Sequence, residues 1–321
     1  LLGNTDYYVR HILRNRDRIL GISDNFIIPM TSIEQFDTLF DKESFYRLCD
    51  EHELPYPKSI VFDFAKDNAN DYQIPFDFPV FMKPSDTVEY ARHDFAGKQK
   101  GYKICDRSEF SQVVRAISAG GFKGKFLLQE YIEGDDESML VLTAYADQNS
   151  IVRAMALGKI LMHDRTPERI GNYNAITHSY NERLCFKLKS FIEKIKFTGI
   201  CHFDIQYDKK SNRFVIFEMN LRQGRGNLHT LASGMNLMKL VVDDYIYNRA
   251  DGFFIANRPF TVSVISRAAL KYCLSKTGRQ VPTENFCRFT LAPYDLNPMR
   301  LYCQARWDFR VIREYLQYQK G

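Results

Sequence analysis

Gly199-Ile-Cys-His-Phe-Asp-Ile-Gln-Tyr-Asp208, then Phe214-Val-Ile-Phe-Glu-Met-Asn-Leu-Arg222, reads as a β-hairpin with its turn at Asp208–Asn212, centred near Ser211. That register places Asp204 opposite Glu218, and opposite residues of a hairpin project to the same face. Glu218 and Asn220 share a face because side chains alternate along a strand. Asp204, Glu218 and Asn220 thus converge, with Arg222 beside them. Hard oxygen ligands next to a guanidinium suit a divalent cation carrying phosphate charge, Mg²⁺ with a nucleotide. The same pattern also reads as an ordinary solvated hairpin face. The rest of the chain decides between the two.

The chain has 321 residues, 45% apolar and 26% charged, enough for two or three domains or lobes. No apolar run approaches the roughly 18 residues of a membrane span. The start, Leu1-Leu-Gly-Asn-Thr-Asp6, has neither the basic region nor the long apolar segment of a signal peptide. It lacks an initiator Met, so the chain is expected to begin mid-protein. The seven cysteines are scattered without a CxxC pair, which points to reduced thiols in a cytoplasmic protein. Net charge is +5 and uneven: from Arg249 onward there are twelve Lys and Arg against five Asp and Glu, leaving the first 248 residues near −2. Such a basic end suits an anionic partner or a solvated face equally.

Periodicity predicts one amphipathic helix over residues 6–18, a short strand at Phe26–Pro29, and helices at Ser32–Phe40 and Asp41–His52 with Asp41 as N-cap. Strands are expected at Ile60–Phe62, Phe78–Pro84, Tyr102–Ile104, Lys125–Ile132, Ser138–Tyr145 and Ile151–Lys159. Helices are expected at Arg107–Ser118, Asn181–Ile195 and Ser233–Tyr247. Arg165–His178 reads as a long loop. Hairpins mixed with helices point to α+β lobes and not to a doubly wound sheet.

Lys42, at a helix start, reads alone as a surface lysine. Lys83 ends an apolar strand, where a lysine either snorkels or faces an anion. The basic loop Ala96-Gly-Lys98-Gln-Lys100-Gly101 lacks the GK[ST] ending of a P-loop. Gln129-Glu130-Tyr131-Ile132-Glu-Gly-Asp-Asp-Glu137 is an apolar strand breaking into an acidic turn, which fits either a plain hairpin turn or a break exposing backbone groups to a base. His202, opposite Asn220 in this register, is a hydrogen-bonded structural histidine or a ligand for a softer ion.

Taken in order, these elements resemble the ATP-grasp superfamily over most of residues 37–248. The spacings from Asp204 to Glu218 (fourteen) and from Glu130 to Glu137 (seven) fit as well. The resemblance implies two α+β lobes clasping ATP. Lys42 and Lys83 would contact phosphates. Gln129, Glu130, Tyr131 and Ile132 would bind the base, through the backbone of Glu130 and Ile132, and Glu137 the ribose. The loop carrying Lys98 and Lys100 would close over the nucleotide. Asp204, Glu218 and Asn220 would hold Mg²⁺, with Arg222 steadying the transferred phosphate.

Phe217-Glu-Met-Asn-Leu-Arg-Gln-Gly-Arg-Gly-Asn227, Ala232-Ser-Gly-Met-Asn-Leu237, Asp6-Tyr-Tyr-Val9, Thr166-Pro and Ile170-Gly-Asn172 resemble more narrowly the carboxylate–amine ligase branch that includes D-aspartate ligases. That branch implies amide formation through an acyl phosphate, with Arg225 holding the carboxylate or acyl phosphate. The amino-acid carboxylate would be D-aspartate, and the amine acceptor a UDP-linked muramyl peptide of peptidoglycan synthesis. The implied organisation is the end of an N-terminal domain (1–36, its last helix and strand), a small lobe (37–130), a large lobe with the metal site (131–248) and a basic C-terminal extension (249–321). The extension would suit a pyrophosphate-bearing acceptor or peripheral contact with an anionic membrane. An ATP-grasp ligase for other amino acids or dipeptides, and a non-catalytic nucleotide- or RNA-binding protein, remain alternatives. The extension shows no recognisable nucleic-acid module, so nucleic acid is not the expected partner.

Overall fold

The first helical stretch folds as α1 (Asp6–Arg14) and α2 (Arg16–Leu20). The single helix expected there breaks at Asn15, whose side-chain amide donates to the His11 carbonyl at 2.9 Å. The strand expected at Phe26–Pro29 does not form. The Arg16 guanidinium donates to the carbonyls of Ile28, Met30 and Thr31 at 3.0–3.3 Å, so groups that a sheet neighbour would need are already engaged. Helices α3 (Ile33–Phe40) and α4 (Lys42–Glu51) follow. Asp41 caps α4 as expected, accepting from the Ser44 N–H at 2.9 Å.

The computed structural model describes the chain apart from residues 167, 168, 170, 225, 226, 283, 284, 291–296 and 319–321, and apart from the side chains of residues 87 and 88. Its contacts define two compact units.

The smaller unit is Tyr56–Glu133, joined by Thr166 and Arg169. It contains β1 (Ser59–Asp63), β2 (Val80–Pro84), α5 (Thr87–Ala91), β3 (Tyr102–Ile104), α6 (Arg107–Ala119) and β4 (Lys125–Glu130). The strands form an antiparallel sheet in the order β1-β4-β2-β3. Alternation along β2 buries Val80 and Met82 with Phe62, Ile104, Phe110, Phe126 and Leu128. The core is aromatic, with edge-to-face pairs such as Phe62–Phe110, 5.6 Å between centroids. Phe81 and Lys83 lie on the opposite face of β2.

The larger unit joins Leu1–Pro55, Gly134–Arg165 and the chain from Gly171 onward. Its strands are β5 (Met139–Ala146), β6 (Val152–His163), β7 (Tyr173–Ser179), β8 (Gly199–Asp208), β9 (Arg213–Asn220), β10 (Phe254–Ala256), β11 (Thr261–Ser263) and β12 (Phe286–Arg288). Its later helices are α7 (Glu182–Lys194), α8 (Leu228–Ala232), α9 (Leu237–Tyr245), α10 (Arg267–Ser275) and α11 (Pro298–Gln317). The sheet runs β12-β11-β7-β6-β5-β8-β9, mostly antiparallel, with β10 parallel against β6. The reading of Arg165–His178 as loop is corrected by β7. Gly171 and Asn172 signal a turn, but Ala175-Ile-Thr177 then pairs with β6 on one side and β11 on the other. Two ladders outweigh the weak local signal.

The basic C-terminal stretch continues this sheet. Leu161 and Met162 of β6 pack with Val264, Ile265, Leu270, Cys273 and Leu274, and with Val311 and Tyr315 of α11. All seven cysteines are free. Among the described residues no helix is long and apolar enough to cross a membrane.

Candidate functional site

β8 and β9 pair with His202 opposite Asn220 and Asp204 opposite Glu218, the register read from the sequence. The next pair is Ile205 with Ile216, so Phe217 is an extra residue, a β-bulge. Beyond it the register slips by one, and Asp208 faces Arg213 at the turn. The Phe217 carbonyl accepts from Lys42 Nζ at 3.3 Å and from the Tyr46 hydroxyl at 3.1 Å. The neighbouring Ile216 N–H donates to the Pro55 carbonyl at 2.7 Å. Lys42 Nζ also donates to Glu218 Oε2 at 2.6 Å. The Asp41 cap fixes the first turn of α4 and so aims Lys42 at the acidic end of the hairpin.

Two carboxylates and an amide meet there. Asn220 Nδ2 donates to Asp204 Oδ2 at 3.1 Å and to Glu218 Oε1 at 3.2 Å. The Tyr173 hydroxyl donates to Asp204 Oδ1. Burial, and next the Glu218 carboxylate, push the Asp204 carboxyl up to about 8. Burial and the Asp204 charge raise Tyr173 well above the usual phenol range, so it stays a donor. Two adjacent acids that disfavour each other's charge suit a hard divalent cation. Among the described residues no three His, Cys, Asp or Glu side chains form a metal-type cluster. The set here is two carboxylates with the Asn220 amide between them, its Nδ2 on the carboxylates and its Oδ1 on Arg222, and the two hard carboxylates fit Mg²⁺.

Arg222 is held from outside the hairpin. Its Nε donates to Asp6 Oδ1 at 2.8 Å and its Nη2 to Asn220 Oδ1 at 3.4 Å. A Cβ on Gly224 would lie 2.5 Å from Arg222 Nη1, so the glycine leaves room for the guanidinium. His202 is buried beside this group. Burial, then the Arg222 charge, lower its pKa to about 3, so the imidazole is neutral near pH 7. Arg225 lies outside the described residues.

In the smaller unit Lys83 is half-buried, opposite Leu127 of β4. Gln129 is buried, and the Glu130 N–H donates to the Lys58 carbonyl at 2.9 Å. Lys103 Nζ stands 4.4 Å from the Tyr131 ring centroid, and Ile132 is buried. Lys98 braces its own loop: its ammonium donates to the carbonyls of Ala91 and His93 and lies over the Tyr90 ring. Lys100 is exposed. In the larger unit Glu137 pairs with Lys159 at 3.1 Å. Next to it, Asp136 faces His163 at 3.0 Å, Arg279 at 3.2 Å and Arg165 at 3.5 Å.

Sequence reasoning missed Tyr173, the role of Asp6 and the Asp136 cluster. Only Tyr173 left a local signal, as the residue that opens the β-prone run Asn174–Thr177.

A D-aspartate ligase from Enterococcus faecium (strain Aus0004) is 37% identical over 251 residues, covering 78% of this chain and 59% of that protein. The chain therefore spans about three fifths of that relative's length. An L-amino acid ligase from Bacillus licheniformis overlays with a TM-score of 0.53 at 15% identity, over 78% of this chain and 58% of that one. So does the biotin carboxylase domain of Hydrogenobacter thermophilus 2-oxoglutarate carboxylase, solved with MgADP and bicarbonate: TM-score 0.52, 15% identity, 76% of this chain and 51% of that one. The chain shares the ATP-grasp fold of these enzymes. No family model matches it. As in the expected ATP-grasp fold, its α+β architecture rests on antiparallel and mixed sheets and not on a doubly wound one.

Proposed function

We propose that this chain is an ATP-grasp ligase that joins a carboxylate to an amine at the expense of ATP. The observation that carries the reading is the meeting of Asp204, Glu218 and Asn220 with Lys42 and Arg222 at one end of the β8–β9 hairpin. The 37% identity to a D-aspartate ligase supports the same reaction class.

Asp204, Glu218 and Asn220 would hold Mg²⁺, which when bound supplies Lewis-acid neutralisation of the ATP phosphates. A substrate carboxylate oxygen attacks the γ-phosphorus and ADP leaves, giving an acyl phosphate. The amine then attacks the acyl carbon, loses a proton, and phosphate departs. A free carboxylate resists amines; phosphorylation supplies the leaving group. The protein's part is positioning and charge. Lys42 puts positive charge on Glu218 and Arg222 puts it beside Asn220, and Arg222 would steady the transferred phosphoryl group. Lys83, Lys98, Lys100, Gln129–Ile132 and Glu137 are assigned to the nucleotide, and Arg225 to the acyl group, on the ATP-grasp resemblance. D-aspartate is the proposed acid. The proposed acceptor is the lysine ε-amine of a UDP-linked muramyl peptide, in the cytoplasm.

The deciding experiment is an ADP-release screen across D- and L-amino acids, with and without a lysine-containing muramyl peptide. Release that depends on D-aspartate and the acceptor is expected. Release with a different amino acid moves the substrate assignment, and release indifferent to every amino acid and acceptor sinks the ligase reading.

Asp6 enters this mechanism through Arg222. Asp6→Asn weakens a charge-assisted hydrogen bond worth about 1.5–3 kcal/mol, so kcat is expected to fall by about tenfold or more. KM for ATP should change little, because Asp6 orients the guanidinium without binding nucleotide. An unaltered kcat would show that Arg222 holds its place without Asp6.

A further inference from the structure

Helix α11 has a buried side and a side that none of the described residues covers. Val311 and Tyr315 are buried, with Trp307 and Ile312 packed against the same core. Opposite them stand Met299 (68% exposed), Tyr302 (58%), Phe309 (79%) and Leu316 (38%). Arg306 and Arg313, both exposed, fall between them. The run 299, 302, 306, 309, 313, 316 advances in steps of three and four, which makes one straight stripe along a helix. Twenty residues give that helix a length of about 30 Å.

The stripe carries no acid. The two carboxylates of the helix are engaged elsewhere: Asp308 pairs with Arg288 at 2.7 Å and Glu314 with Arg310 at 2.8 Å. Arg306 lies over the Tyr302 ring, 5.8 Å from its centroid, so cation and aromatic are presented together.

We propose that the outer face of α11 docks this protein on an anionic bilayer surface, with the helix lying in the plane of the interface. The arginines meet lipid phosphates, while Phe309, Tyr302, Met299 and Leu316 enter the headgroup–acyl boundary. Long arginine stems let the charge stay at headgroup level while the apolar side chains go deeper. Charge complementarity selects this occupant. A second copy of α11 laid on the stripe would set arginine against arginine. Single-stranded nucleic acid would stack on Tyr302 and Phe309 but leave Met299 and Leu316, at the two ends of the stripe, without partners. The inference does not depend on the ligase reading.

The test uses the whole chain in vesicle co-sedimentation, with phosphatidylcholine alone and with phosphatidylglycerol mixed in. Binding is expected only to the anionic vesicles and should weaken as salt rises. Arg306→Glu with Arg313→Glu should lower it by about tenfold or more, and Phe309→Ser separately should lower it as well. All three positions are exposed, and circular dichroism checks that the variants stay folded. Failure to bind anionic vesicles, or binding that both variants retain in full, overturns the proposal. So does capture by poly(U), or self-association lost in the variants, where vesicle binding is absent.

Discussion

Glu218→Ala is expected to lower ATP turnover by about 10²–10³-fold in a protein that remains folded. Glu218 is one of the two carboxylates in the proposed Mg²⁺ set and the partner of Lys42 at 2.6 Å. Its loss removes a hard oxygen and the ion pair of Lys42, leaving Lys42 its hydrogen bond to the Phe217 carbonyl. It also removes the neighbouring charge that helps raise Asp204, so the remaining carboxyl should titrate lower than in the parent. Glu218→Gln keeps the shape and one oxygen. It should be intermediate in turnover if the role is ligation. Near-normal ADP release in a folded Glu218→Ala protein would refute the assignment of this hairpin end.

Asp136→Ala should destabilise the larger unit by about 3–5 kcal/mol, the usual cost of stranding a buried charge partner. Asp136 is largely buried and faces His163, Arg165 and Arg279, which come from β6, the segment just after it and the C-terminal stretch. Arg279 also donates to the Leu161 carbonyl at 3.0 Å, and Arg165 lies over the Tyr315 ring. Burial alone would raise the Asp136 carboxyl. The His163 hydrogen bond and charge, then Arg165 and Arg279, outweigh it and hold the carboxyl well below the usual range. A carboxyl lowered by folding contributes stability that is fully present above its unfolded value, and that is lost as pH falls through the folded one. The gap between parent and variant should therefore be full at neutral pH and shrink below about pH 4. Urea titrations across that range measure it, and a gap that stays constant down to strong acid would contradict the ion-pair account.

The convergence of Asp204, Glu218 and Asn220 is legible in the sequence because two local rules agree. Turn residues at Asp208–Asn212 mark the register in the sequence, and strand alternation marks the faces. Neither rule marks a bulge, so Phe217 and the slip beyond it were invisible. Lys42 could be singled out only through the order of motifs, since its own neighbourhood reads as surface. The Asp6–Arg222 pair joins residues 216 positions apart, and no periodicity carries information at that range. The apolar run Phe26–Pro29 resembles a strand, but Arg16 takes the carbonyl of Ile28 and those of Met30 and Thr31 just beyond it. In the C-terminal stretch only the charge was read. Strands of three residues such as β10 and β11 are too short to alternate visibly, and they form because the long strands β6 and β7 offer them edges.

The bulge at Phe217 has a consequence for how freely the sequence can drift. Helix α4 and the Pro55 carbonyl grip the hairpin at Phe217 and Ile216, between the acidic end and the turn. The pairing of Asp204 with Glu218 is therefore clamped from outside and does not depend on the length of the turn. An insertion or a grafted reporter peptide within residues 209–212 is therefore expected to lengthen the hairpin tip and leave Asp204 opposite Glu218.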